Sequence, residues 1–406
     1  MNRIIRSIED MRAVAHQTEH VLTLFSGGLD STYVLSQLAK LPCKVTALAI
    51  DLGDGIDQAF LHSITSHFGA DLRIIDAKQE FAENAVLPAI QAQAKYLGMY
   101  PVSSSLSRPI MAKHAVTLAK RLGCNTIIHT ANQSQNSLRR LNGSIKSSGF
   151  AGYYGSPYEY SAISREDKSI QLQQQGLLEF AKRAVSGDSN LWCREFESGL
   201  LDNPEAFDTP ESLYEWSLDH ANAVHPLWNN HISIQFTKGV PTAIDGKSLN
   251  LLDLIELANL HAGAYRIGRY AGLEHLEQGE KVLEIREAPA AILLLEAYRH
   301  LETAVHDVDL IQHKMVAEQT WCQEAVNGRW GSDLQQASNA FIQSTTGPMT
   351  GTVTFALKPG AAELTSIKAE QPLYLTERDD WEIQTAFERS QRSLHINYTP
   401  TMAKSA

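Results

Sequence analysis

Two spacings of apolar residues alternate along the first part of the chain. Short apolar runs at Val21–Phe25, Lys44–Ile50, Asp71–Ile75 and Asn125–His129 read as strands. Between them, Ser31–Leu41, Asp57–Gly69, Phe81–Leu97 and Pro109–Leu122 repeat at helical spacing, and residues 1–18 read as a short charged helix. Strands alternating with helices predict an α/β fold with a doubly wound parallel sheet. Ligands meet such sheets at the carboxyl ends of the strands, near the switch point. The loop after Phe25, the Ile50-Asp51 end and the loop after Ile128 all fall there and are expected to converge.

The later chain is patterned differently. His231–Phe236 and Val240–Ile244 read as a hairpin across Lys238-Gly239, and Gly351–Leu357 as a further strand. Helices are expected at Leu251–Ala262, Ala288–His306, Leu310–Val326, Leu334–Ser344 and Trp381–Leu394. With 406 residues, two or three domains are expected. We divide the chain into a nucleotide-binding part (1–150), a second α+β part (151–370) and a C-terminal helix and tail (371–406), the first boundary set by the Gly/Tyr-rich stretch Gly149–Gly155.

Bulk properties narrow the function classes. A formal net charge of -11 argues against nonspecific nucleic-acid binding, which needs basic surface. No apolar run reaches the roughly 18 residues of a membrane span, and Met1–Arg12 lacks a signal-peptide core. The cysteines (Cys43, Cys124, Cys193, Cys322) lie far apart, without CxxC or zinc spacing, and read as reduced structural thiols of a cytoplasmic protein.

The strand ending at Phe25 stops at Ser26-Gly27-Gly28-Leu29-Asp30-Ser31, and a helix follows at once. Glycines there let the backbone turn sharply and approach a ligand. The helix start offers free N–H groups and the positive end of its dipole, which suits a phosphate. No Lys follows the glycines, so this is not the loop that grips β- and γ-phosphates in GxxxxGK[ST] proteins. Further on, Tyr100-Pro-Val-Ser-Ser-Ser-Leu-Ser-Arg-Pro109 is either capping chemistry before a helix or an anion site.

The string SGGLDS resembles the pyrophosphatase loop of ATP-splitting, AMP-forming enzymes. Over most of its length the chain also resembles one family among them, the argininosuccinate synthases. The shared segments are Ala89–Ala92, Ser104–Pro109, His129–Ala131 with Asn136 and Arg140, Ser198–Leu201 with Asn203-Pro204, Lys238–Pro241, Ile267–Arg269, Arg286–Ala290 and Thr350–Val353. The resemblance implies an adenine nucleotide alpha hydrolase-like sheet, a synthetase domain, and a homotetramer linked by the C-terminal helix. It implies an ATP-dependent ligase: an acceptor oxygen attacks the α-phosphate of MgATP, pyrophosphate leaves, and an amine then displaces AMP. It implies small-molecule amino-acid substrates, and magnesium that arrives with the nucleotide rather than at a metal site of the protein.

Carried across residue by residue, the resemblance places ATP at Leu24, Phe25, Ser26, Gly27, Gly28, Leu29, Asp30, Ser31, Ile50, Arg108 and Thr130, the last replacing a Gly. Ser26, Asp30 and Arg108 are the catalytic candidates among them. Tyr100, Ser105, Asn136, Arg140, Ser186 and Glu274 stand where the family holds its first amino acid, Arg140 suiting a carboxylate and Glu274 an ammonium. Glu195 stands where a Ser is expected and Arg286 where a Tyr is expected. Either these two pair with each other, or Arg286 binds an extra carboxylate on a different acceptor. At the end where the family holds its amine donor, its Thr-Gly-Lys-Gly-Asn-Asp loop is here Asn132-Gln133-Ser134-Gln135-Asn136-Ser137, so Asn132 and Ser137 are substrate candidates, a Lys is lost, and the Asp beside the attacking amine becomes Ser137. That change points to a specialised paralogue. A non-catalytic ATP-binding relative, acting as sensor or assembly partner, is the alternative.

Overall fold

Six short strands lie side by side, all parallel, and form the first layer of the molecule. They are β1 (Ile4–Ile5), β2 (His20–Leu24), β3 (Lys44–Asp51), β4 (Asp71–Asp76), β5 (Thr126–Ile128) and β6 (Tyr153–Gly155), in the order β1-β6-β5-β2-β3-β4. The computed structural model describes residues 4–177, 186–217 and 230–396, so the tail expected beyond 396 lies outside the described residues. Val21, Leu22 and Ile127 are fully buried, because helices cover both faces of the sheet. The chain order reverses between β2 and β5, and a crevice opens there at the strand ends.

The first helices follow the predicted rhythm with shifted ends. They are α1 (Ile8–Ala15), α2 (Leu29–Leu38) and α3 (Gln58–His67). Helix α2 begins two residues earlier than its apolar spacing suggests, because Gly28 is its N-cap. The expected helix over Phe81–Leu97 is instead a run of Lys78–Phe81, a π turn at Ala82–Val86 and Leu87–Gln91, together α4. It stops because Gln93 takes φ 46° and its side chain bonds the carbonyls of Ile90 and Leu295. A two-strand hairpin, Lys95–Tyr96 with Tyr100–Pro101, follows.

Helix α5 (Ser104–Leu122) starts five residues before the expected Pro109, which lies inside it. The serines are thus its first turns, anchored by Asn190 Nδ2 donating to Ser103 Oγ at 2.9 Å. After β5 come α6 (Ser137–Ser147) and α7 (Arg165–Gln174). Strand β6 belongs to the parallel sheet, and Tyr33 on α2 bonds Gln171 on α7 at 3.2 Å, so this layer draws on residues well past 150.

Two antiparallel sheets make the second half. The first has four strands: β7 (Ser186–Asn190), β8 (Cys193–Glu197), β9 (Arg269–His275) and β10 (Lys281–Glu287), in the order β9-β10-β8-β7. The other has five, built on the predicted hairpin His231–Thr237 with Val240–Ile244, with Gly351–Lys358 and Ala361–Ala369 on one side. Helices α8 (Leu251–Gly263), α9 (Pro289–Val305), α10 (Val308–Val326) and α11 (Asp333–Ser344) pack around it, and α12 (Arg378–Ile396) ends the described chain. The turn between β7 and β8 joins the halves. Leu191 N–H donates to the Leu52 carbonyl at 2.8 Å, and Trp192 is buried in one core with Phe81, Leu106 and Leu254. This contact fixes the four-stranded sheet over the mouth of the crevice.

Candidate active site

At one end of a cleft of about 500 Å³ lies the glycine turn after β2. Gly27 has φ 71°, a left-handed backbone that favours glycine, and a Cβ there would also have to displace the end of the Leu61 side chain, 2.5 Å away. Gly28 is extended and caps α2 with no side-chain bond. The first-turn N–H groups are therefore left for an anion, in the favourable field of the helix end. Ser26 Oγ accepts from Gly28 N–H at 3.3 Å, and Ser31 Oγ donates to the Gly28 carbonyl at 3.1 Å, which holds the turn in shape. The Asp30 carboxylate is held by Lys168 Nζ at 2.6 Å and Asn132 Nδ2 at 3.1 Å.

Beside the turn the cleft is apolar. Leu48, Ala49, Ile50 and Phe60 line one side, and His129, Thr130 and Ala131 the other. His129 is kept neutral: burial pushes its pKa down to about 4, against a hydrogen bond from its ring to Asn142 at 2.9 Å.

At the far end the wall is one face of the four-stranded sheet. Side chains on a strand alternate, and the cross-strand register places Ser186 and Asp188, Glu195 and Glu197, Glu284 and Arg286, and Tyr270, Gly272 and Glu274 on that same face. Arg286 is directly opposite Glu195 and bonds both Glu195 and Glu284. Its guanidinium lies 4.3 Å from the centre of the Tyr100 ring. From the opposite side, Arg140 on α6 bonds Glu274 at 3.1 Å and Ser104 Oγ at 2.6 Å. Arg108 on α5 bonds Asp188 at 2.7 and 3.3 Å and Ser137 Oγ at 3.1 Å.

All three arginines are thus already paired, and carboxylates outnumber them. The excess shows in the protonation of the wall. Burial pushes Glu197 up to about 7, reinforced by Glu274 and Glu195 and opposed by a bond from Gln135. Burial also raises Glu284 well above the carboxylate range, with Arg286 opposing and Glu274 reinforcing. Burial acts the same way on Glu274, but Arg140 and Arg286 overcome it and hold that group low.

Every predicted site residue lines this cleft except Gly27, Tyr100, Ser105, Asn132 and Arg286. Gly27 shapes the turn, and Asn132 reaches the cleft through Asp30. Tyr100 and Arg286 stack on each other and do not line the cleft, although Arg286 stands on the same face of the sheet as Glu195 and Glu284. Ser105 is buried in α5 and its neighbour Ser104 lines the cleft, because consecutive helix residues point about 100° apart. Arg286 bonds Glu195 and Glu284, so these side chains do pair with each other, as one of the two expectations had it. Ser104 and Gln135, named above only as parts of longer segments, also line the cleft, as do Asp188, Glu197 and Glu284, while Lys168 reaches it through Asp30. Asp188, Glu197 and Glu284 each sit two residues from a residue singled out above (Ser186, Glu195, Arg286), on the same face of a strand.

Family comparison matches this architecture along almost the whole chain. Residues 20–176 match the arginosuccinate synthase N-terminal HUP domain, and residues 185–405 match the arginosuccinate synthase C-terminal domain. The chain belongs to the argininosuccinate synthase family. The argininosuccinate synthase of Rubrobacter xylanophilus is 31% identical over 373 residues, covering 91% of this chain and 90% of that protein. That of Bacillus cereus is 34% identical over 371 residues, covering 88% and 89%. A solved structure of an NMN synthetase from Francisella tularensis aligns with a TM-score of 0.31 at 14% identity, over 42% of this chain and 68% of that one. As a member of the family, the chain is an AMP-forming carbon–nitrogen ligase.

Proposed function

We propose that the cleft joins an amino acid to an amine in two steps. First, a ureido, amide or carboxylate oxygen of an amino acid, citrulline or an analogue, attacks the α-phosphate of ATP, and pyrophosphate leaves. Then an amine, from aspartate or another donor, displaces AMP. Supporting this is one observation above others: a single cleft carries the glycine turn at one end and Asn136, Arg140, Ser186 and Glu274 at the other. Alignment of the reactants and stabilisation of charge at phosphorus are then what the protein supplies. Magnesium would come with the nucleotide and would offset the charge of its phosphates.

We further take the enzyme to be a specialised member of its family. The amide-rich Asn132–Ser137 loop and the surplus of carboxylates on the wall favour an acceptor that brings positive charge. A homotetramer in the cytoplasm completes the reading. ATP–pyrophosphate exchange over a panel of citrulline, its analogues and basic amino acids tests it, with AMP release then measured for each amine. Exchange with one acceptor followed by AMP is expected. Accumulation of ADP overturns the reaction, and exchange with citrulline plus AMP release only with aspartate overturns the specialisation. ATP binding with no pyrophosphate release under any acceptor favours the non-catalytic alternative.

A further inference from the structure

A carboxylate in the first turn of a helix whose N-terminus is meant to receive an anion is an electrostatic problem. Asp30 is the second residue of α2 and lines the cleft beside the glycine turn. An ionised carboxylate there is stabilised by the same helix field that would attract a diphosphate, and it repels that diphosphate. The structure supplies a compensating charge from a distant segment. Lys168, on α7, is only 4% exposed, and its Nζ lies 2.6 Å from Asp30 Oδ1. The ammonium also sits 4.7 Å from the centre of the Tyr158 ring, and the Tyr158 hydroxyl donates to the Asp30 carbonyl at 2.9 Å. Asn132 Nδ2 takes the other carboxylate oxygen at 3.1 Å. Three groups from outside the loop therefore converge on one residue of it.

We propose that Lys168 is a positioning residue of the phosphate loop, holding and neutralising Asp30 so that a diphosphate can bind beside it. This rests on the reading that the glycine turn receives the diphosphate. A buried ammonium needs a charged partner, and the half-buried Asp30 carboxylate supplies it; the two charges offset each other, leaving the helix N–H groups as the net positive feature of the site. Helix α7, which lies past the expected end of the nucleotide-binding part, thereby belongs to the phosphate end. Arg165, one turn earlier on the same helix, lines the cleft as well.

The test is pyrophosphate binding by calorimetry in the full chain, with thermal melts to show folding. In K168M the Asp30 carboxylate faces the ligand uncompensated, and affinity is expected to fall tenfold or more. In D30N/K168M both charges are gone, and affinity is expected to return to within about threefold of wild type. A K168M affinity within twofold of wild type, or a double variant no better than K168M, overturns the inference while leaving the loop reading standing. Wild type that binds no pyrophosphate overturns the loop reading and this inference with it. Should K168M not fold, D30N against D30N/K168M decides: the uncompensated ammonium in D30N is expected to bind pyrophosphate at least tenfold more tightly, and equal affinities overturn the proposal. A residue serving only to strap α7 to α2 would change the melts without producing the recovery.

Discussion

Arg140 donates to Glu274 at 3.1 Å, although one suits a carboxylate and the other an ammonium of the same amino acid. The pair is nearly sealed from solvent, with side-chain exposures of 3% and 8%. An acceptor that uses both groups has to part them and replace one internal pair by two external ones. Removing one partner strands the other. R140M is expected to cost about 3–5 kcal/mol in urea denaturation, as broken buried pairs do. In acceptor-stimulated exchange its KM for acceptor should rise a hundredfold or more, with ATP binding changed little. R140M/E274Q should regain part of the stability but none of the acceptor affinity.

The Arg286 cluster gives a second expectation. Its guanidinium serves Glu195 and Glu284 together, so R286Y leaves two buried carboxylates without a cation. A loss of about 3–5 kcal/mol is expected from denaturation. Restoring both family residues with E195S/R286Y removes one stranded charge and should recover part of that loss. If the altered wall sets acceptor choice, the double variant also shifts exchange toward citrulline.

Glu197 ties stability to pH near neutrality. Its pKa is raised to about 7 in the fold from an ordinary 4.5. The folded state therefore holds this proton more tightly than the unfolded chain. The stabilisation is fully present below pH 4.5 and is lost as pH rises through 7, by at most about 3 kcal/mol. E197Q removes the titration. Its melting temperature should change less than wild type's between pH 5 and 8, and the two curves should separate most on the alkaline side.

The two glycines of the phosphate turn are not equivalent. Gly27 has φ 71° and a Cβ there would press on the end of the Leu61 side chain, whereas Gly28 is extended and a Cβ there would meet only Ser26 Oγ, at 3.3 Å. G27A is expected to cost about 1–3 kcal/mol of backbone strain and to displace the turn, with ATP affinity falling at least tenfold by calorimetry. G28A should be much milder in both measurements.

Which features could be read ahead of the structure follows from the range of the interactions that make them. The parallel sheet, the glycine turn and the helices around the later hairpin are set by local periodicity and turn chemistry. Those signals survive in a single chain. The charged wall is set by register between strands up to about ninety residues apart, such as Glu195 against Arg286. None of its four strands was expected from the sequence, because nothing local states which segments pair. Lys168 was hidden for the same reason, since only the packing of α7 on α2 brings it to Asp30. The early end of α4 was hidden too. Gln93 accepts a left-handed backbone because its amide finds the Leu295 carbonyl, a partner two hundred residues away.

The C-terminal helix offers the last expectation. The segment before it is tied to its own chain: Leu373 N–H donates to the Ala304 carbonyl at 2.8 Å, and the Tyr374 hydroxyl donates to the Ile367 carbonyl at 3.3 Å. Beyond that anchor, Trp381, Ile383 and Phe387 are 47, 70 and 64% exposed on α12. Helices in proteins draw most of their stability from packing, and three large apolar side chains exposed on this one call for a partner surface. In the tetramer proposed above, that surface is another subunit. Light scattering on wild type should then give about four times the 44.9 kDa of one chain. W381S/F387S should give a smaller species, with the far-ultraviolet signal of the rest of the fold retained. A wild-type mass of one chain would remove the tetramer from the reading while leaving the cleft chemistry untouched.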